Sequence, residues 1–426
     1  MNMQATIEPG NISGIVVAPP SKSITQRAFA AALLHTGNTI IINAGHSDDE
    51  QAALLIIQQL GANVIDQTKE EVAIRSIGVV PVSERINCGE SGLSARLFTP
   101  IASVSGQAVT IEGTGSLLHR PMHGFLEVLQ SLDVSVAGFN KHLPCTVHGP
   151  LQARNIVLNA ESGSQFLSGL LFAFSSCAKE RVVIKVNGLK SKPYIDLTLD
   201  VLQHFGKKIT HNDYREFYID PSLFSYPDPV EIKIEADWSS AAYMLVAGAI
   251  AGNVTVKDLN IDSRQADRAI LQVLDLAGAL VMVEDHSITV KKGPLRAFEF
   301  DATHCPDLFP VLAILAAFCD GQSYITGVHR LFDKESNRAE SISEMLENFA
   351  VPFSLEDDML CITGVRKLQG TVIDSYHDHR IAMAAAIGAL RAGARVDIVH
   401  AGAVNKSYPA FFEDLISCGV KCNLLI

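Results

Sequence analysis

Positive charge is scarce in this chain. Against 46 Asp and Glu stand only 34 Lys and Arg, for a net charge of −12 over 426 residues. The chain-wide basic footprint that holds nucleic acid is therefore missing, and any anion must be gripped by a local cluster. Paired cysteines are lacking too. The eight present, at 88, 145, 177, 305, 319, 361, 418 and 422, show neither a CxxC spacing nor a histidine pattern suited to zinc. Buried free thiols in a reducing cytosol are expected, not a disulfide framework or a metal site. No apolar run reaches the roughly 18 to 20 residues needed to cross a bilayer; LFPVLAILAAF (308–318) reads as a buried helix. The opening MNMQATIEPGNISG has no basic stretch followed by an apolar one, so a secretory signal is not expected. The expectation is a cytoplasmic protein that engages neither nucleic acid nor membrane.

What is present suits a large folded core: 48% of residues are hydrophobic and 19% charged, a balance typical of globular chains. Single cores stop growing near roughly 250 to 300 residues, so two domains are expected. Within them one pattern recurs six times, an amphipathic helical stretch, a turn residue and a β-branched run: LLIIQQLGANV (54–64), FLEVLQSLDVSV (125–136), LDVLQHFGKKI (199–209), ILQVLDLAGALV (270–281), ISEMLENFAVPF (342–353) and FFEDLISCGVKC (411–422). The turn residues Gly61, Asp133, Gly206, Gly278, Ala350 and Gly419 are spaced by 72, 73, 72, 72 and 69. So regular a period marks an internal repeat of α/β units, with glycine at the helix end and a strand after it. Six units suit two domains of three, with the switch around 228–240, where PDPVEIKIEADWSS begins a new strand and helix. A first strand within TIEPGNISGIVVAPP (6–20) ends in Pro19-Pro20, and on its residues alone it can belong to either domain.

Several helix starts carry hydroxyls and cations. PPSKSITQR (19–27) sets Ser21, Lys22 and Ser23 before a helix whose next turn carries Arg27. Free amides, the helix dipole and two cations make such a start an anion site, although a Ser cap with solvated cations accounts for it equally. Gly92 in NCGESGLSARLF allows close backbone approach, and Arg120 in LLHRPM precedes a proline at the mouth of the next helix. Ser164 and Gln165 open one apolar helix; Ser191, Lys192 and Tyr194 open another. In the second half, Asp307 stands at the edge of an apolar helix, where desolvation can raise its pKa or where it simply caps the helix. Lys334, Glu335 and Arg338 are expected within a turn and a half of helix, either as a site or as solvated ion pairs. His379-Arg380 and Lys406 precede two further helices. Recurrence of these starts in a repeat protein favours convergence on an anion site.

In this order and across essentially the whole chain, PPSKSITQR, HRPM, SQFLSGLL, SKPYIDLTLDVL, ADWSSAAY, DKESNR, DHRIAMA and NKSYP resemble the enolpyruvylshikimate-phosphate synthase family, the family targeted by glyphosate. The resemblance implies an α/β fold, the enolpyruvyl transferase fold or inside-out α/β barrel, with two similar domains of three βαβαββ units. One domain is expected over 21–235 and the other over 1–20 plus 236–426, with crossovers near 19–22 and 228–240, closing on the substrates. It implies transfer of the enolpyruvyl group of phosphoenolpyruvate to the 5-hydroxyl of shikimate 3-phosphate, as in chorismate and aromatic amino acid biosynthesis, by a monomer with no metal or organic cofactor. Motif by motif, shikimate 3-phosphate would meet Lys22, Ser23, Arg27, Ser164, Gln165, Ser191 and Tyr194, with Asp307 and Lys334 at its hydroxyls. Phosphoenolpyruvate would meet Lys22, Gly92, Arg120, Gln165, Arg338, Arg380 and Lys406. Proton transfers fall to Asp307 as base and Glu335 as acid, assisted by Lys22, with His379 the weaker alternative that positions Arg380.

Departures from the family pattern mark the chain as its own. Glu90-Ser91-Gly92-Leu93 stands where the family commonly has Asn-Ala-Gly-Thr, Gly163 replaces a serine that Ser162 can stand in for, and Arg330 replaces a common Asn. Glu90 is expected to pair with Arg120 or Lys22, and inhibitor sensitivity is not inherited across this stretch. The alternatives are the related transfer to UDP-N-acetylglucosamine, which generally uses a loop cysteine absent from LLHRPM, and a non-catalytic anion-binding relative.

Overall fold

The computed structural model describes residues 3–122, 124–138 and 140–425; Met1, Asn2, His123, Phe139 and Ile426, which fall inside the two expected domains, lie outside the described residues. The chain divides into two compact units, one running from Pro20 to Glu235 and the other combining the residues up to Pro19 with those from Ala236 onward.

Among the described residues the Pro20–Glu235 unit carries six helices: α1 (Lys22–Leu34), α2 (Asp48–Gln59), α3 (Gly92–Ala102), α4 (Phe125–Ser131), α5 (Gln165–Cys177) and α6 (Lys192–His204). Its three four-stranded sheets share one pattern, a parallel pair followed by an antiparallel hairpin. In the second, Arg85–Asn87 pairs parallel with Ala108–Glu112, which pairs antiparallel with Cys145–His148 and so leads to Ser135–Ala137 at the edge. The third repeats this with Ile156–Asn159, Val182–Asn187, Glu216–Ile219 and Thr210–Asn212. The first sheet takes its opening strand from the far end of the unit: Val230–Lys233 lies parallel to Gly37–Ile42. This strand, inside the 228–240 stretch, belongs to the Pro20–Glu235 unit.

The other unit carries α7 (Trp238–Ala251), α8 (Ile270–Leu276), α9 (Phe309–Ala316), α10 (Arg338–Asn348), α11 (His379–Ala389) and α12 (Phe411–Ser417). The single strand expected near the N-terminus is two, interrupted at Pro9-Gly10. Gln4–Ile7 lies between Val396–Val399 and Cys422–Leu425, while Ile12–Val17 runs parallel to Gly252–Lys257 in a different sheet. Both belong to this unit.

Helices α7, α9 and α11 are buried at every position, which suits helices that are apolar on all sides. They pack on one another, with the sheets outside them. In the first unit α3 and α5 pack closely: a Cβ at Gly169 would meet the Arg96 carbonyl at 2.6 Å and the Leu97 carbonyl at 2.8 Å. The α/β repeat is thus as the sequence period implies, and the placing of these helices inside the sheets is as the family resemblance implies.

All six turn residues of that period have positive φ: Gly61 +110°, Asp133 +63°, Gly206 +76°, Gly278 +73°, Ala350 +58° and Gly419 +88°. Each closes its helix with the same two backbone bonds, as in Gly61 N–H to Gln58 O (3.1 Å) and Ala62 N–H to Ile57 O (2.9 Å). This is the Schellman arrangement, which satisfies carbonyls the helix leaves open.

Candidate active site

In the first unit, hydrogen bonds gather the starts of α1, α3, α5 and α6. Arg27, 1% exposed, reaches from α1 to α6: its Nε donates to Thr198 Oγ1 (2.9 Å), Nη2 to the Tyr194 carbonyl (3.2 Å) and Nη1 to the Ser23 carbonyl (2.8 Å). Thr198 and Ser168 hydroxyls lie 2.8 Å apart, and Ser168 donates to the Ser164 carbonyl. Burial lowers the Arg27 pKa to about 10, so the guanidinium stays charged near neutrality, and two of its five N–H groups remain beyond these bonds. Ser23, Arg27, Ser164 and Tyr194 thus form one network. Ser191, in the left-handed region at φ +56°, precedes α6 and accepts the Tyr194 N–H through its carbonyl (3.1 Å). Gln165 opens α5, half-buried.

A connection not anticipated from sequence is Gln26. Fully buried, its Oε1 accepts the hydroxyls of Ser91 (3.2 Å) and Ser94 (3.1 Å) and so ties α1 to the start of α3. There Gly92 is the first helical residue, and a Cβ on it would meet the Arg120 guanidinium at 2.5 to 2.7 Å. Only glycine lets that buried arginine lie over the helix start. Lys22 pairs with Asp49 of α2 at 2.7 Å. Glu90, expected to pair with Arg120 or Lys22, accepts the Ser116 N–H and hydroxyl, each at 3.0 Å; its carboxylate caps the 3-10 turn Gly115–His119.

The second unit assembles a denser array around Arg338, 1% exposed at the start of α10. Its Nη1 donates to Asp307 Oδ1 (2.7 Å), Nη2 to Glu335 Oε2 (2.6 Å), and Nε to Asp378 Oδ2 (2.7 Å). Asp307 also meets Lys334 and Arg380, each at 3.2 Å. Asp378, completely buried, caps α11 by accepting the Arg380 N–H (2.9 Å). Its role was not assigned from sequence, although it stands inside the DHR motif. Three carboxylates and three cations are therefore interlocked, and Arg380 keeps Nε and Nη1 buried without a hydrogen-bond partner among the described residues. His379, also buried, has Nδ1 3.8 Å from Asp378 Oδ1. Lys406 ends the 3-10 turn Ala401–Lys406 and donates to the His377 carbonyl (2.7 Å).

Two sequence expectations are corrected here. Lys334 and Glu335 lie in the turn before α10, not on the helix; Glu335 meets Arg338 at i,i+3 from outside the helix, and Lys334 pairs long-range with Asp307, so neither pair is of the i,i+4 kind. Asp307 lies in a 3-10 turn (Pro306–Leu308) ahead of α9 and does not cap that helix. Nor is its pKa raised. Burial pushes it up, but Lys334, Arg380 and Arg338 together outweigh burial and hold the carboxyl well below the usual range. Among the described residues no group of three or more His, Cys, Asp or Glu is arranged to hold a metal, and no helix is long and apolar enough to cross a membrane.

A family model for EPSP synthase (3-phosphoshikimate 1-carboxyvinyltransferase) matches residues 7–415. The 3-phosphoshikimate 1-carboxyvinyltransferase of Clostridium novyi is 34% identical over 422 residues, covering 97% of each chain. Among solved structures, EPSP synthase of Acinetobacter baumannii superposes with a TM-score of 0.84 at 24% identity, covering 100% of both chains. The enolpyruvyl transferase NikO of Streptomyces tendae superposes at 0.79 with 18% identity, covering 100% of this chain and 99% of that one. The structural likenesses give the two-domain enolpyruvyl transferase fold. With the family match over nearly the full length and so similar a relative in Clostridium novyi, the chain belongs to the EPSP synthase family.

Proposed function

We infer that the two arrays serve the reaction of the family, transfer of the enolpyruvyl group of phosphoenolpyruvate to the 5-hydroxyl of shikimate 3-phosphate with release of phosphate. The hydroxyl oxygen bonds to C2 of the enol while a proton reaches C3; the phosphate then leaves C2 and C3 gives up a proton. Such a reaction asks for cations around two phosphates and for a carboxylate pair at the reacting carbons. The observation that carries the reading is the buried cluster of Asp307, Glu335 and Arg338 with Arg380, whose Nε and Nη1 remain available for an anion.

Within this reading the Ser23–Arg27–Ser164–Tyr194 network, with Ser191 and Gln165, receives the shikimate phosphate. Lys22, Gly92 with Arg120, Gln165, Arg338, Arg380 and Lys406 receive phosphoenolpyruvate, and Asp307 and Lys334 reach the shikimate hydroxyls. Asp307, held ionised by its cations, is the base toward the 5-hydroxyl, and Glu335 is the proton carrier at the methylene, with Lys22 assisting. The array adds a coupling of binding to basicity. An anion that draws Arg338 or Arg380 toward itself takes cations from Asp307, and the carboxylate becomes a stronger base as the site fills. The protein is read as a cytoplasmic monomer. Phosphate release by purified protein with phosphoenolpyruvate and shikimate 3-phosphate tests the function; folded protein that releases none would be a binding relative, and release only with UDP-N-acetylglucosamine would make it the other transferase.

A further inference from the structure

Lys406 does not stand alone. Its ammonium rests on the His377 carbonyl (2.7 Å), and the His377 ring packs against that of His400 in a tilted arrangement, with centroids 4.0 Å apart and planes 32° from parallel. His400 Nδ1 lies 2.8 Å from Asp374 Oδ1, and the His400 carbonyl accepts the Ser375 hydroxyl (3.0 Å). Both histidines occupy the left-handed region, each at φ +55°, where an imidazole costs more than glycine or asparagine would. A chain of contacts therefore runs from Asp374 through two unfavourably held rings to the cation that precedes α12.

We propose that His400 is a positioning residue for the phosphoenolpyruvate subsite: tethered to Asp374 and packed against the His377 ring, it fixes the carbonyl that holds Lys406. The inference rests on the reading of Lys406 as a phosphoenolpyruvate ligand. Exchange of either ring for a smaller side chain removes the contact between them, and what is lost is the fixed position of the His377 carbonyl.

The test is steady-state phosphate release by the full chain at neutral pH, phosphoenolpyruvate varied at saturating shikimate 3-phosphate. His400→Asn tolerates the left-handed backbone and keeps a donor for Asp374 but removes the ring. Its KM for phosphoenolpyruvate is expected to rise about fivefold, the scale of one hydrogen bond, with kcat nearly constant. His377→Asn, which retains the carbonyl, is expected to do the same. A KM of His400→Asn equal to the unmodified value overturns the proposal, as does a loss of kcat with KM unchanged, the mark of a merely structural role. Should both variants fail to fold, NMR of the unmodified chain decides: phosphoenolpyruvate must move the ring signals of His377 and His400, and unmoved signals are a refutation. Lys406→Met separates the two layers. If it leaves KM unchanged, the reading of Lys406 is wrong; if it raises KM while His400→Asn behaves as unmodified, only the present inference falls.

Discussion

At the scale of single residues, the array around Arg338 shows how far a carboxylate's role depends on partners remote in sequence. Asp307 is held low by cations 27, 31 and 73 residues away. Asp307→Asn should keep the fold but remove the base; kcat is expected to fall by about 10²- to 10⁴-fold with a smaller change in KM, measured by phosphate release. The opposite situation holds at Glu50 and Asp267, which stand at the same place in their repeats, equally far ahead of the turn glycines Gly61 and Gly278. Each has one oxygen bonded to a serine hydroxyl, Ser47 or Ser239, and the other without a partner among the described residues. Burial pushes both carboxyls up to about 7. Between their ordinary values near 4 and pH 7 the folded chain keeps protons that the unfolded chain has lost. Stability should therefore fall as pH rises through that window, and the loss is complete above it. Glu50→Gln should match the unmodified protein at pH 5 and exceed it at pH 8 by on the order of 2 kcal/mol, read from denaturant midpoints; a constant difference at both pH values would sink the argument.

At the scale of elements, the six helix endings were readable from sequence because a Schellman turn is local: the glycine, the apolar spacing before it and the β-branched run after it all lie close together in the chain. Two copies lack glycine, and Ala350 at φ +58° bears the steric cost of a Cβ in the left-handed region. Ala350→Gly should stabilise the fold by about 1 kcal/mol, seen as a higher denaturant midpoint. By contrast Gly61→Ala should destabilise it, since a Cβ there would meet the Val80 carbonyl at 2.3 Å. The elements misread were those whose meaning is not local. Lys334 and Glu335 have helix-compatible spacing to Arg338, yet their turn is shaped by Asp307, far off in sequence. Gln26 and Asp378 gave no periodic signal, because a buried amide bridging two helix starts and a buried carboxylate behind an arginine are defined by packing alone. The N-terminal stretch reads as one strand because the apolar positions on either side of Pro9-Gly10 look continuous in sequence, while the two pieces pair with different sheets.

At the scale of the whole molecule, that split makes the two units unequal in their independence. Every described strand of the Pro20–Glu235 unit comes from within it, because Val230–Lys233 returns to open its first sheet. Its core is likewise its own, running from Ile24 to Ile234. The unit from Ala236 onward depends twice over on the segment that ends at Val17. Gln4–Ile7 is an inner strand, bonded on both sides, so its loss would part Cys422–Leu425 from Val396–Val399 and leave two rows of backbone groups unpaired. Loss of Ile12–Val17 would bare the whole edge of Gly252–Lys257. Ala5, Ile7, Ile12 and Val16 also sit in the core of that unit, and each buried Val or Ile side chain contributes roughly 1.5 to 3 kcal/mol. Taken together these losses are of the order of a domain's entire net stability of about 5 to 15 kcal/mol. Residues 20–235 expressed alone should therefore melt cooperatively with native-like circular dichroism, and residues 236–426 alone should not. Adding a peptide of residues 1–19 should restore order to the latter, read as slowed amide exchange in 252–257 and 396–399. Cooperative folding of 236–426 without the peptide would show that the three inner helices suffice and that the borrowed strands only trim the sheets.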